Sequence, residues 1–176
     1  MPVLRIAKLG NPVLRQTAVE VDPRDIPTFD LQQFIDNLIE TMLAEPGIGL
    51  AAPQVSRSIQ LVVMGCEGDD GFPQTVLINP KIVFYGPKQL EGWEGCLSVD
   101  GLRGKVTRPS VVRVQALDRD GKSMDFEATG LYAVCIQHEM DHLIGKLFLD
   151  RMTDMSTLTQ LHEFGKYWQH DPIPAI

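Results

Sequence analysis

His138 and His142 stand four residues apart in the stretch His138-Glu139-Met140-Asp141-His142. On a helix that advances about 100° per residue they lie about 40° apart and one turn apart along the axis, so both imidazoles can reach one metal ion. Leu131, Val134 and Cys135 lie on the approach to the same face. An apolar face that leads straight into the pair marks it as buried, rather than as two solvent-facing histidines matched by chance. The pattern predicts a helix from 129 to 142 or slightly beyond, ending before Gly145. On the same wheel Glu139 falls about 80° to one side of the midpoint between the histidines and Asp141 about 80° to the other. Either carboxylate would flank a metal rather than bind it, which is where a group acting on metal-bound water belongs. The wheel does not choose between them.

The rest of the chain supplies a frame for that helix. Leu31, Phe34, Ile35, Leu38, Ile39, Met42 and Leu43 recur at helical spacing between 28 and 45, predicting a core-facing helix that stops at Pro46-Gly47. Strands are expected at 59–64 and 75–84, and a hairpin of 111–117 with 122–127 around Asp118-Arg119-Asp120-Gly121. A weaker helical pattern covers 156–168. Helix, antiparallel strands and helix again predict an α+β fold. The 176 residues fit one domain over 1–176 with a substantial core, and 171–176 read as a loose tail. No run of about eighteen apolar residues could span a membrane, and the first ten residues lack the apolar core and small-residue cleavage site of a signal peptide. The chain is therefore expected in the cytoplasm.

Two imidazoles leave a tetrahedral ion short of ligands, because catalytic sites usually take three from the protein and keep one position for water. Cys66, Cys96 and Cys135 form an odd set in a chain with no sign of export, which argues against a disulfide framework. Cys96, in Glu94-Gly95-Cys96-Leu97-Ser98, is the leading candidate for the third ligand: the flanking glycine lets the backbone approach closely, and a thiolate binds divalent metals well. Its alternative fate is that of an ordinary buried cysteine. Cys135 reads as part of the apolar wall and Cys66, at the end of a predicted strand, as structural. Residues 47–54, a run of small residues ending in Gln54, taken alone make a tight loop after a helix. They lack the lysine and hydroxyl residue of a phosphate-binding loop. A net charge of -7 argues against broad nucleic-acid binding, which needs clustered cations.

Taken together and in this order, GIGLAAPQ (47–54), EGCLSV (94–99) and QHEMDHL (137–143) resemble the three signature motifs of peptide deformylases, and the similarity runs from Leu9-Gly10-Asn11-Pro12 to about Arg151. The resemblance implies antiparallel β-sheets packed around a central helix that carries the HExxH motif. It implies a hydrolase that removes the formyl group from the N-terminal formylmethionine of nascent polypeptides and releases formate. Cys96, His138 and His142 would hold one divalent ion, Fe(II) natively, with zinc, nickel or cobalt able to take the same place and water as the fourth ligand. Glu139 would be the acid/base residue, which decides between the two flanks of the wheel. The Leu97 backbone N–H and the Gln54 side-chain amide would donate to the formyl oxygen. Gly49 would bind the substrate main chain through its backbone, and Arg103 the peptide further along. Ile48, Leu131, Val134 and Cys135 would form an apolar pocket suited to methionine. Glu94 and Arg108 would pair to brace the metal loop.

The partners implied are N-formylmethionyl nascent peptides and, as a second candidate, the ribosome near its exit tunnel; the implied location is a bacterial-type cytoplasm. Asp100 stands where many relatives have proline, Gly92-Trp93 differs from the apolar residue often found before the motif, and the C-terminal segment is not strongly basic, which counts against docking through a cationic helix. The nearest competing reading is a metallopeptidase, whose third ligand is usually histidine or carboxylate. A binding module with a purely structural metal would normally fill all four positions from the protein.

Overall fold

Thr28 opens the first helix of the computed structural model, which describes residues 3–45, 47–69 and 71–168. Its hydroxyl oxygen accepts from the Leu31 N–H at the start of α1 (Phe29–Ala44), the cap expected of a threonine. The helix buries Leu31, Phe34, Ile35, Leu38, Ile39 and Met42. Leu43, assigned by its spacing to the same stripe, is 65% exposed, because its direction lies about 110° from the centre of the other six. The helix closes with the Glu45 N–H on the Thr41 carbonyl at 3.1 Å; Pro46, expected to stop it, lies outside the described residues.

Strands β1 (Gly49–Ala51), β2 (Leu61–Cys66), β3 (Phe72–Tyr85), β4 (Gln89–Cys96), β5 (Val99–Pro109), β6 (Val111–Leu117) and β7 (Ser123–Thr129) follow. The chain then forms α2 (Gly130–Leu143), β8 (Thr159–Gln160) and α3 (Leu161–Tyr167). The strands make two sheets, ordered β1-β2-β3-β6-β7 and β4-β5-β8, and every ladder within them is antiparallel.

The larger sheet is buried on both faces around β2, and the period of two explains how. Leu61 and Val63, with Leu50, Val76 and Ile78, join the core under α1. Val62 and Met64, with Ala51 and Leu77, join the core of Ala133, Cys135 and Ile136 under α2. Helix α2 touches β1, β2 and β7 of the larger sheet and β5 of the smaller one. The fold is therefore α+β, with the histidine-bearing helix between two antiparallel sheets.

The C-terminal expectation is corrected. Only 161–167 of the helix expected over 156–168 is helical; before it come a 3-10 turn at Met155–Thr157 and the short strand β8. Asp154 accepts from the Ser156 N–H, and Thr157 accepts from the Lys105 N–H at 3.1 Å. Such local polar bonds compete with helix formation. The 171–176 tail lies outside the described residues. Among those described, no helix is long and apolar enough to cross a membrane.

Candidate metal centre

Helix α2 buries His138, Glu139 and His142 together, and β4 ends on Cys96 beside them. One ligand atom from each of Cys96, His138 and His142 lies within 4.8 Å of the others, and Cys96 Sγ is 3.3 Å from His142 Nε2. A soft sulfur and two imidazole nitrogens form a donor set that fits a divalent transition ion, with one tetrahedral position left over. Cys135 is fully buried, its thiol 3.7 Å from the Ile48 carbonyl and pushed well up in pKa by burial. Cys66 sits half-buried at the end of β2.

A charged network stands behind the ligands. His138 Nδ1 lies 2.9 Å from Glu94 Oε2, which leaves its other nitrogen for the ligand cluster, as in most metal-binding histidines. Arg108 grips Glu94 with two bonds, Nε to Oε1 at 2.6 Å and Nη2 to Oε2 at 2.9 Å, and donates from Nη1 to Asp141 at 2.9 Å. Arg151 donates to the same Asp141 from the protein's edge. Burial pushes Glu94 upward, but hydrogen bonds from His138 and Arg108 outweigh it and bring its pKa to about 2. Burial likewise works to lower His138, yet the pull of Cys96 and Glu94 raises it to about 10; a divalent cation competes with that proton for the ring nitrogen. Burial drives His142 well below its ordinary value, so it is neutral.

Removing Glu94 leaves the buried Arg108 charge with Asp141 as its remaining ion-pair partner among the described residues. Glu94→Ala is expected to cost about 3 kcal/mol, the low end for breaking a buried pair, and to weaken metal binding by roughly 10–100-fold. Because the folded pKa of about 2 lies below the ordinary 4.5, the ionised Glu94 stabilises the fold above pH 4.5 and loses that contribution as pH falls toward 2. Denaturant melts and metal titrations across pH check both effects; a variant that melts like wild type and keeps the same acid slope contradicts them.

The two carboxylates that the helix wheel leaves equivalent have different surroundings. Asp141 is buried and held by Arg108 and Arg151. Glu139 lines the cleft that holds Cys96 and His138, and its Oε2 is buried with no hydrogen-bond partner among the described residues. Burial raises its pKa to about 7, with Glu94 adding to the rise and His138 and Arg108 opposing it. Gly49 makes room for it: a Cβ there would collide with Glu139 Oε1 and come within 2.8 Å of its Cγ and Cδ.

Gln54 is oriented by its own neighbourhood. The Ala51 N–H donates to its Oε1 at 2.7 Å, which turns Nε2 toward Cys96 Sγ at 3.5 Å and Ser98 Oγ at 3.2 Å. Leu97 sits in the two-residue turn between β4 and β5. An N-terminal segment missed by sequence reasoning braces both: Ala7 N–H donates to the Gln54 carbonyl and Leu9 N–H to the Ser98 carbonyl, each at 2.7 Å. Between them, Lys8 Nζ reaches the Leu97 carbonyl at 2.9 Å and the Asp100 carboxylate at 2.8 Å. Asp100 thus has a specific partner in Lys8. No local signal could have found these links, because about 90 residues separate Lys8 from its partners.

The cleft has a volume of about 210 Å³ and brings together Ile48, Gly49, Gln54, Cys96, Leu97, Arg103, His138 and Glu139. Leu131, Val134 and Cys135, expected in the same pocket, are not among the residues that line this cleft; Val134 and Cys135 are buried and Leu131 is half-buried, and Leu131 and Cys135 share an apolar cluster with Ile48. Gly95 is packed directly over Arg103, and a Cβ on it would run into the guanidinium.

Residues 3–157 match the family model described as polypeptide deformylase. Among relatives, peptide deformylase 1 of Bordetella pertussis is 42% identical over 157 residues, covering 86% of this chain and 88% of that protein. The peptide deformylase of Acinetobacter baumannii strain SDF is 44% identical over 155 residues, covering 88% and 86%. The solved peptide deformylase of Synechococcus elongatus in complex with actinonin superposes with a TM-score of 0.82 at 42% identity, covering 94% of this chain and 86% of that one. A class I type b enzyme from A. baumannii, solved with Met-Ala-Ser bound, gives 0.82 at 34% identity, covering 86% and 99%.

Proposed function

The chain belongs to the peptide deformylase family, and from that premise we propose that it hydrolyses the formamide of N-terminal formylmethionine on nascent polypeptides, using Cys96, His138 and His142 to hold one divalent ion and Glu139 to carry the proton. The observation that supports this most is the buried carboxylate of Glu139, whose Oε2 has no hydrogen-bond partner among the described residues, in the cleft that Cys96 and His138 of the Cys-His-His cluster also line. A divalent ion held there supplies a Lewis acid and lowers the pKa of water. Glu139 accepts a proton from the water that attacks the formyl carbon and returns it to the departing amine nitrogen as the C–N bond breaks, giving formate and a free methionine amine. The Gln54 amide and the Leu97 N–H donate to the formyl oxygen as charge develops on it.

Gly49 and Arg103 bind the peptide main chain in this reading, and Ile48, Leu131, Val134 and Cys135 enclose the methionine side chain. Fe(II) is the native ion proposed, with zinc, nickel or cobalt able to replace it, since thiolate and imidazole suit all four. The bacterial-type cytoplasm is where such a substrate is made. Solved relatives carrying Met-Ala-Ser or actinonin accord with a site that accepts a peptide beginning with methionine.

Anaerobically purified, iron-loaded protein is expected to release formate from formyl-Met peptides and to leave unformylated peptides intact. Cleavage of an internal peptide bond without formate would instead favour the metallopeptidase reading. Gly49→Ala forces the Glu139 carboxylate aside and should lower formate release on the order of 10²-fold with metal content preserved, the penalty typical of a catalytic group misplaced by about an ångström. Near-normal turnover in that variant would show that Glu139 need not occupy this position.

A further inference from the structure

The cleft does not end at the ligand cluster. Its lining also takes in Gly101, Leu102, Arg103 and, from the first position of α3, Leu161. That residue lies beyond position 157, where the match to the family model stops. Its place is set by β8, in which Gln160 pairs with Leu102 and Thr159 with Arg103. The helix that follows is anchored: Phe164 is buried edge-on against Trp93, ring centroids 5.0 Å apart. Leu161 is nevertheless 49% exposed. A leucine held half-bare by a paired backbone in the lining of the cleft, which the half-buried Leu97 and Leu102 also line, offers apolar surface to an apolar side chain.

We propose that Leu161 forms part of a subsite for an apolar side chain of the substrate downstream of its formylmethionine, and so sets a sequence preference at that position. The inference rests on the deformylase reading. An extended peptide that places its first residue by Glu139 must leave through the open side of the cleft. Successive side chains on an extended chain point to opposite sides, so one of the next two residues faces the Leu161 wall.

Metal-loaded wild type, Leu161→Ala and Leu161→Met are compared on formyl-Met-Ala-Ala, formyl-Met-Leu-Ala and formyl-Met-Ala-Leu, with kcat, KM and bound metal measured separately. In Leu161→Ala the ratio of kcat/KM for a leucine peptide to that for the alanine peptide should fall on the order of tenfold at one of the two positions. The change should appear in KM rather than kcat, as loss of uniform binding does. Leu161→Met, which keeps apolar bulk, should restore the ratio. Ratios unchanged at both positions, or a uniform fall on all three peptides, overturn the proposal. A wild type that releases formate from none of the peptides overturns the deformylase reading itself, and the proposal with it.

Discussion

Replacing Cys96 with alanine is expected to strip the protein of most of its bound metal and, with it, most of its hydrolytic activity. The cluster then offers only the nitrogens of His138 and His142, one short of the usual three protein ligands, and it loses its one soft, charged donor. The loss should exceed the roughly 10–100-fold typical of removing a partner behind the ligands. Cys96 also receives the Gln54 amide at 3.5 Å, so its removal leaves Ser98 Oγ, at 3.2 Å, as the remaining partner that orients the donor proposed for the formyl oxygen. The fold should survive, because Cys96 closes a hairpin whose ladder runs on through six further register pairs between β4 and β5. Cys66→Ala, at the end of a strand in the other sheet, should alter neither metal content nor turnover. Metal analysis beside a far-UV spectrum decides the matter: a full equivalent of metal in folded Cys96→Ala removes Cys96 from the ligand set.

The parts of this site that could be read from the sequence are those carried by local periodicity. The stripe of α1, the apolar face leading to His138, and the turn between β6 and β7 each obey one period, and each forms close to where it is expected. Strands β4 and β5 follow no such alternation. Their polar residues Glu94 and Arg108 are buried, held by a pairing that spans 14 residues. Burial of charge contradicts a hydrophobic pattern and becomes legible only through the partner. Strand β8 is two residues long and exists because Leu102 and Arg103 offer it an edge. The helix wheel left Glu139 and Asp141 equivalent because it describes one helix in isolation, whereas the difference between them is made by Arg108, Arg151 and Gly49, all from other segments of the chain.

That difference produces the sharpest expectation. Glu139→Gln keeps the shape of the side chain but cannot take a proton at neutral pH. It should fold, retain one metal through Cys96, His138 and His142, still bind substrate, and lose catalysis by at least the ~10²–10⁴-fold of a missing general acid/base, with more expected because one residue serves both proton transfers. Asp141→Asn should show the opposite profile. Its carboxylate faces two guanidinium groups, Arg108 and Arg151, so neutralising it leaves positive charge poorly compensated behind His138, and the variant should melt at lower denaturant concentration while keeping most of its turnover once saturated with metal. Formate release, metal stoichiometry and denaturant midpoints measured on both variants separate the two roles. A metal-loaded Glu139→Gln protein with near-normal turnover would remove Glu139 from the proton path, and a larger catalytic loss in fully loaded Asp141→Asn would move that path to the other flank of the helix.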